Sequence, residues 1–489
     1  MDFAASTWEF LRSLSQAHAA GITLFSLLVF ALDLWAIERA CSRGHGVQGT
    51  LTWIFAILAF PLVGALAFFA LASPSVRRVK LARRRAAAQL RHELGGKQAT
   101  PDAMQGDSLL DLAANLTGLA PNAGNDVTLL TENEETFARI EKALRGARRF
   151  IWAEYYIIQN DETGRRFLEV LAERARAGLE VRLLYDAVGS LHINAERLRQ
   201  LEVAGGRARA FQPMNPLRRR LSVHLRNHRK LIVVDGEVGF TGGMNVGDEY
   251  SGSRRRSGLA VYRDSHLELR GPAVSSLAQA FREDWVFAGG RALPPFAVPE
   301  AAETPGSMVA IVTSGPDQEH NASAFVHFAA IASARRRVYL SSPYFIPDEA
   351  TLAALVSSAL RRVDVRVLLP ALSISDVKIA AYAARSYYGK LLRGGVRIFE
   401  YEPSMLHGKT LVADGQIACV GSANVDLRSY RLNFEIGALI NDTRFAATLE
   451  RRFLRDVAHA NEVTLELLAR QTKSMRFVCA AARLLSPLL

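Results

Sequence analysis

One local pattern occurs twice in this chain of 489 residues, and its repetition constrains the fold more than any other feature. His228-x-Lys230-x4-Asp235 recurs as His407-x-Lys409-x4-Asp414, and after six intervening residues each copy is followed by a Gly-x-x-Asn segment, Gly242 to Asn245 and Gly421 to Asn424. A single copy would be weak evidence, because composition alone supplies one at roughly the per cent level in a chain this long. Two copies with matching flanks imply an internal duplication. Tyr156-Ile157-Ile158, preceded by Arg148-Arg149-Phe150, recurs 188 positions on as Tyr344-Phe345-Ile346, preceded by Arg336-Arg337-Val338. Glu180 to Leu184 recurs 184 positions on as Asp364 to Leu368, and the motif histidines are 179 apart, so the offsets agree apart from short loop insertions or deletions. Strand-like runs alternate with helical stretches such as Gly164 to Ala177, Asp348 to Arg361 and Ala381 to Arg393, so each half is expected to be an α/β unit.

The flanks indicate the chemistry. The β-branched run Leu231 to Val234, ending in Asp235-Gly236, reads as a strand entering a hairpin. Residues i and i+2 of a strand share a side. His228 with Lys230, and His407 with Lys409, can therefore face one anion while Asn245 or Asn424 adds a neutral amide. The adjacent glycines let that anion approach the backbone. Asp235 and Asp414 fall at the turns, where organising the hairpin competes with direct catalysis. Two imidazoles, two ammoniums and two amides suit displacement at a phosphodiester, which needs a nucleophile, an acid for the leaving alcohol and cations around the charged oxygens. No metal-ligand spacing appears. The lysines supply the positive charge, so neither a metal nor an organic cofactor is expected.

The motif flanks Arg226 to Lys230 and Thr241 to Tyr250 resemble those of the bacterial cardiolipin synthases of the phospholipase D superfamily, and the resemblance spans nearly the whole chain. It is also carried by Ser314 to Asp317, Pro343 to Asp348, Arg385 to Tyr388, and Gly421 to Asp426 followed by Arg428-Ser429. The resemblance implies two α/β repeats packed about a pseudo-two-fold axis with one active site between them, so that neither half acts alone. It also implies phosphatidyl transfer from one phosphatidylglycerol to another through a phosphatidyl-histidine. In that scheme His228 is the nucleophile and His407 the acid/base, although the symmetry of the motifs leaves the reverse assignment open. Glu435 holds the place of a histidine-orienting carboxylate. Asp264 holds the corresponding place in the first half, at a different distance from its motif. Gly243 and Ser422 complete the substrate-binding candidates; Gly243 departs from its counterpart by lacking a hydroxyl. A hydrolase or nuclease of the same superfamily is the alternative, and a scaffold with a retired site is disfavoured because both His-Lys pairs are intact.

Apolar content, 49% of residues, is concentrated near the start. Gly21 to Ile37 is apolar apart from Asp33, and Thr50 to Ala72 is a charge-free run long enough for a bilayer core of about 30 Å. The two predict a transmembrane helical hairpin in residues 1–75, with a re-entrant or interfacial first segment as the alternative. Arg77, Arg78, Lys80 and Arg83 to Arg85 follow it, against Arg39 and Arg43 in the connecting loop, which predicts a multi-pass protein of the bacterial inner membrane with a cytoplasmic catalytic body. The net charge of +12, with Arg218 to Arg220 and Arg226 to Lys230 near the first motif, calls for an acidic partner. Anionic lipid headgroups attract such residues by about 1 kcal/mol each. Nucleic acid is the competitor that charge alone leaves open and that the family resemblance disfavours. Three scattered cysteines exclude a disulfide framework. Residues 76–125 are expected to be a basic juxtamembrane segment and linker, 126–300 the first catalytic repeat, and 301–489 the second. The C-terminal stretch from Met475 reads as amphipathic, to lie on the membrane or pack on the body.

Overall fold

The computed structural model describes residues 2–42, 46–69, 81, 83, 85, 86, 109–211, 225–252, 261–296 and 306–486. Arg77, Arg78, Lys80, Arg84, Arg218 to Arg220 and most of the expected linker lie outside the described residues. The chain forms two compact units, Met1–Ser75 and Val76–Leu489.

In the first unit a helix spans Asp2–Ser42, and its Gly21–Ser42 part is, among the described residues, the one segment long and apolar enough to cross a membrane. The second apolar stretch departs from the expected continuous span. Its helix ends at Ala59, and a short helix resumes at Val63–Ala67. Pro61 is the cause, since it lacks an N–H and its ring clashes with the preceding turn. Leu62 is forced to a φ of 65°, and its N–H donates to the Asp33 carboxylate at 3.1 Å. The lone acid of the first stretch thus satisfies the amide that the break orphans. Ala36, Ala40, Ile57, Ala65 and Phe68 form the contact between the segments, with small residues permitting close approach.

The second unit is built on a sheet of fifteen strands among the described residues. The first half contributes β1 (Asn122–Leu130), β2 (Phe150–Tyr155), β3 (Glu180–Asp186), β4 (Arg207–Phe211), β5 (Leu231–Val234), β6 (Val238–Gly242) and β7 (His266–Arg270). The second contributes β8 (Ser307–Ser314), β9 (Arg337–Ser341), β11 (Asp364–Pro370), β12 (Arg397–Tyr401), β13 (Thr410–Ala413), β14 (Ile417–Gly421), β16 (Glu435–Asn441) and β17 (Ala460–Val463), while β10 (Phe345–Ile346) and β15 (Val425–Asp426) pair separately. Outward from the central antiparallel pair β1–β8, the order is β1-β7-β6-β5-β2-β3-β4 on one side and β8-β16-β14-β13-β9-β11-β12-β17 on the other. Seven strands therefore recur in one order, with β17 added at an edge.

Strand alternation sorts the side chains into separate cores. Leu231 and Val233 of β5 point to a core shared with Val412, Val420, Ile436 and Phe434 of the second half, whereas Ile232 and Val234 point to a core private to the first half. Leu411 and Ala413 similarly enter a core private to the second half. The shared layer is the reason the halves form one unit. Local devices repeat as well: Asp161 caps the helix Glu162–Arg176 by accepting from Gly164 N, and Asp348 caps Glu349–Leu360 by accepting from Thr351 N. Part of the expected linker is structured. Leu109–Thr117 is a helix whose Leu110 and Ala113 enter the second-half core, because its leucines and alanines recur at helical spacing. The C-terminal helix Lys473–Leu484 buries Cys479 and Ala482 and leaves Phe477 and Leu484 exposed.

Candidate active site

Each motif forms the hairpin its residues demand. Asp235 and Asp414 adopt φ of 56° and 55°, each followed by a glycine at positive φ, so an Asx-Gly pair fits where other residues would be strained. The Asp235 carboxylate accepts from the backbone N–H groups of Arg148, Arg149 and Phe150 at 2.7 to 2.8 Å. The Asp414 carboxylate accepts from those of Arg335, Arg336 and Arg337 at 2.7 to 2.9 Å. These acids join the hairpin to the start of β2 or β9, and their oxygens are engaged there.

The histidines are held across the halves. His228 N donates to Phe434 O at 2.9 Å, which brings the next residue, Glu435, beside the imidazole. His228 Nδ1 is 2.9 Å from Glu435 Oε2. Reciprocally, His407 N donates to Arg263 O at 2.7 Å, and His407 Nδ1 is 2.6 Å from Asp264 Oδ2. The two carboxylates are structural counterparts: Gly242 pairs with His266 and Gly421 with Gly437, so Asp264 and Glu435 each stand two residues before the partner of an equivalent glycine. The different sequence distance that weakened Asp264 is taken up between β6 and β7.

Glu435 also accepts from Ser422 Oγ and from Asn433 Nδ2 at 3.1 Å. Asp264 accepts from Ser265 N at 2.7 Å. Gly243 explains its departure from Ser422, because a Cβ there would come within 2.1 Å of Asp264 Oδ1. Each lysine donates to the carbonyl of its motif histidine, Lys230 Nζ to His228 O at 2.7 Å and Lys409 Nζ to His407 O at 2.5 Å, and Lys409 Nζ also lies 2.9 and 3.1 Å from the two ring nitrogens of His407. The asparagines are not equivalent in their contacts. Asn245 accepts from Ile157 N at 3.2 Å and donates to Tyr250 Oη at 3.0 Å, so it braces a tyrosine. Asn424 N–H donates to Ser429 Oγ at 3.2 Å, and its side-chain oxygen is buried without a hydrogen-bond partner.

Burial governs the electrostatics. Desolvation, reinforced by the lysines and opposed by Glu435, pushes His228 down to about 4. His407 is also lowered, by burial and by Lys409. Burial lowers Lys230 to about 7 and Lys409 to about 8, while the neighbouring cations hold Asp264 and Glu435 below the usual carboxylate range despite burial. Both imidazoles are therefore neutral near pH 7; with Nδ1–H donated to a carboxylate, His228 presents its Nε2 lone pair, while Nε2 of His407 faces Lys409 Nζ at 3.1 Å.

Of the aromatic frame around the histidines, sequence reasoning reached Tyr156 and Tyr344 as candidates to line the cleft and missed Tyr250 and Tyr262. Tyr156 packs edge-on against His228 at 4.9 Å between centroids; Tyr250 and Tyr262 flank His407 at 5.3 and 5.4 Å. Tyr262 Oη and Tyr344 Oη both donate to Asp376, at 3.3 and 2.8 Å. Tyr250 lies one turn past the Gly-x-x-Asn segment, the only local signal for this frame.

Two related hairpins, each contributing a histidine in contact with the other half's carboxylate, define a site of the phospholipase D type. The family model described as "Cardiolipin synthase, PLD-like domain" matches residues 119–285 and 328–457. The chain belongs to that family and is an enzyme of the phosphatidyltransferase class. It is 37% identical to a cardiolipin synthase of Geobacillus sp. strain WCH70, over 90% of this chain and 89% of that protein. It is 36% identical to cardiolipin synthase A of Pseudomonas fluorescens strain Pf-5, over 95% of this chain and 98% of that one. Among solved structures, phosphatidylserine synthase of Haemophilus influenzae Rd KW20 superposes with a TM-score of 0.60 at 16% identity, covering 78% of this chain and all of that one, which is a likeness of fold.

Proposed function

We propose that this protein is a cardiolipin synthase that transfers the phosphatidyl group of one phosphatidylglycerol to another through a phosphatidyl-histidine. The observation that carries the reading is the pair of cross-half His–carboxylate contacts beside two buried lysines. His228 Nε2 attacks phosphorus as the P–O bond to the headgroup glycerol breaks, and protonated His407 gives its proton to the departing alkoxide. His407 then takes the proton from the headgroup hydroxyl of a second phosphatidylglycerol, whose oxygen displaces His228. The products are one cardiolipin and one glycerol, and His407 ends protonated as it began. His407 is neutral in the empty site; the bound phosphodiester anion offsets the lysine charges that depress it and raises it for the acid role. Gly243, Asn245, Ser422 and Asn424 shape the phosphate pocket or hold its walls, and Asp235 and Asp414 hold the hairpins.

We read the N-terminal unit as the anchor and the body as cytoplasmic, with Arg83 and Arg85 on the inner side. Protease added to sealed right-side-out vesicles should spare the body; cleavage within it would reverse the topology.

The test of function is mass spectrometry of lipids after incubating the purified protein with phosphatidylglycerol alone. Cardiolipin and glycerol in equal amounts, reversed by excess glycerol, are expected, because the bonds broken and formed are alike. Phosphatidic acid as main product, without reversal, would make the protein a hydrolase.

A further inference from the structure

We propose that Arg83, from the segment that follows the membrane anchor, is a positioning residue for the His228–Glu435 pair. Arg83 is 9% exposed, although it lies in a basic run that composition alone would leave solvated. Its guanidinium stands over the rings of Phe434 and Phe287, at 4.9 and 5.6 Å from their centroids. It pairs with Asp284, reaches Asp317 at 3.0 Å and lies 3.7 Å from Glu283. Ala86, nearly one turn later, packs against Val286 of the same helix, Ala273–Phe287.

Two routes lead from Arg83 to the nucleophile. The first passes through Phe434, whose carbonyl holds His228 N and whose successor is Glu435. The second passes through Asp284, which is fully buried and takes Arg229 Nη1 on its other oxygen at 2.5 Å. Arg229 stands between His228 and Lys230, and its Nε donates to Glu435 O at 3.1 Å. Beside Asp284, burial and that neighbour's charge push the Glu154 carboxyl well above its ordinary range. Without Arg83, the whole charge of Asp284 falls on Arg229, which is then drawn from Glu435 O while Phe434 loses the cation over its ring. The effect converges on His228 and spares His407, whose backbone is held by Arg263 and whose carboxylate is Asp264.

The inference rests on the assignment of His228 as nucleophile, but its test does not require the proposed acceptor. Arg83→Gln in the full chain should lower kcat on phosphatidylglycerol about tenfold with KM changed less than about twofold. The decisive readout is the rate of carbethoxylation by diethylpyrocarbonate, followed by peptide mass spectrometry, with His407 as internal reference. The His228-to-His407 rate ratio should change by about threefold or more, a selectivity that general loosening would not give. If Arg83→Gln fails to fold, Phe434→Leu removes the ring without stranding a charge and should move the ratio the same way, by less. An unchanged ratio in a folded variant overturns the proposal, as does equal change at both histidines. If wild-type enzyme makes phosphatidic acid yet the ratio still shifts, the acceptor reading fails and the role of Arg83 stands.

Discussion

The two half-sites share a motif, a strand order and a carboxylate position, yet they are built differently at each point where that carboxylate is held. On the His228 side a glutamate reaches across and is held by a hydroxyl from Ser422 and an amide from Asn433. On the His407 side an aspartate, one methylene shorter, occupies the space that a side chain on Gly243 would need, and Lys409 stands against the imidazole. The difference teaches that duplication repeats the groups each half can offer, while the residues around each carboxylate make the two histidine environments unequal. The more hydrogen-bonded glutamate suits a histidine that must stay aligned while covalently loaded. The histidine that Lys409 touches directly at both ring nitrogens suits, in the proposed scheme, proton transfer.

The largest effect comes from removing either imidazole. His228→Ala and His407→Ala should each lower turnover by at least about 10³-fold, with folding and membrane insertion retained. Quenching His407→Ala with labelled phosphatidylglycerol should trap label on His228. Label on His407 in the reciprocal variant would exchange the two roles.

Next come the orienting groups. Glu435→Gln and Asp264→Asn keep shape but remove the charge that fixes each tautomer, and each should cost about 10²-fold. Because the contacts cross the halves, Glu435→Gln should suppress adduct formation on His228, whereas Asp264→Asn should slow proton transfer and show a larger solvent isotope effect. The opposite assignment of these two signatures would exchange the roles of the two histidines.

The lysines separate by pH. Lys230 titrates at about 7 and Lys409 at about 8 in the empty site, so as pH rises through this range each loses the charge that receives the phosphodiester. kcat/KM should therefore fall above pH 7, by about tenfold per unit at first and more steeply once both lysines titrate. On the acid side His228 stays neutral down to about 4, so loss of the nucleophile should appear only there. Lys230→Arg should remove the earlier of the two alkaline steps; a profile flat to pH 9 would mean that neither lysine is neutral in the empty site.

A smaller contrast probes Gly243 against Ser422. Gly243→Ala must displace Asp264 and should cost about tenfold or more, while Ser422→Ala removes one hydrogen bond to Glu435 and should cost less than about tenfold. Equal effects would mean that Asp264 moves aside without consequence.

How much of this was legible follows from range. The hairpins, the repeated alternation of strands and helices and the helix beginning beside Asp348 depend on neighbours in sequence, so β-branched runs, Asp-Gly turns and periodicity announce them. The pairing of Glu435 with His228 depends on Phe434 lying beside the first motif, a register between halves that no local pattern carries. Asp264 was undervalued for its spacing because loop length is counted in sequence and register is not. Pro61 was visible, but the use of Asp33 to satisfy Leu62 N required two segments to be seen together. Tyr250 and Tyr262, which meet His407 only in the folded unit, were hidden for the same reason, as was Asp376, which receives Tyr262 and Tyr344.

The smallest expected effect on catalysis tests Asp235 and Asp414, which the motif makes candidates for chemistry and which the geometry ties to the backbone. Each accepts three N–H groups at the start of a neighbouring strand, so Asp→Asn at either position removes charge-assisted bonds and should destabilise the body by about 1 to 3 kcal/mol. These backbone bonds hold Asp414 below its ordinary value. Its contribution is thus present above the unfolded carboxylate range and lost as pH falls through the folded value. Asp235 is 4% exposed, whereas Asp414 is half-buried, so the loss should be larger for Asp235→Asn. Thermal unfolding at pH 7 should show both shifts, the Asp414→Asn shift should vanish at acid pH, and kcat of the folded fraction should stay within about twofold of the parent. A fall of about 10²-fold in kcat without a stability change would instead return these residues to the chemistry and make the resemblance between the two halves deeper than the different surroundings of Glu435 and Asp264 suggest.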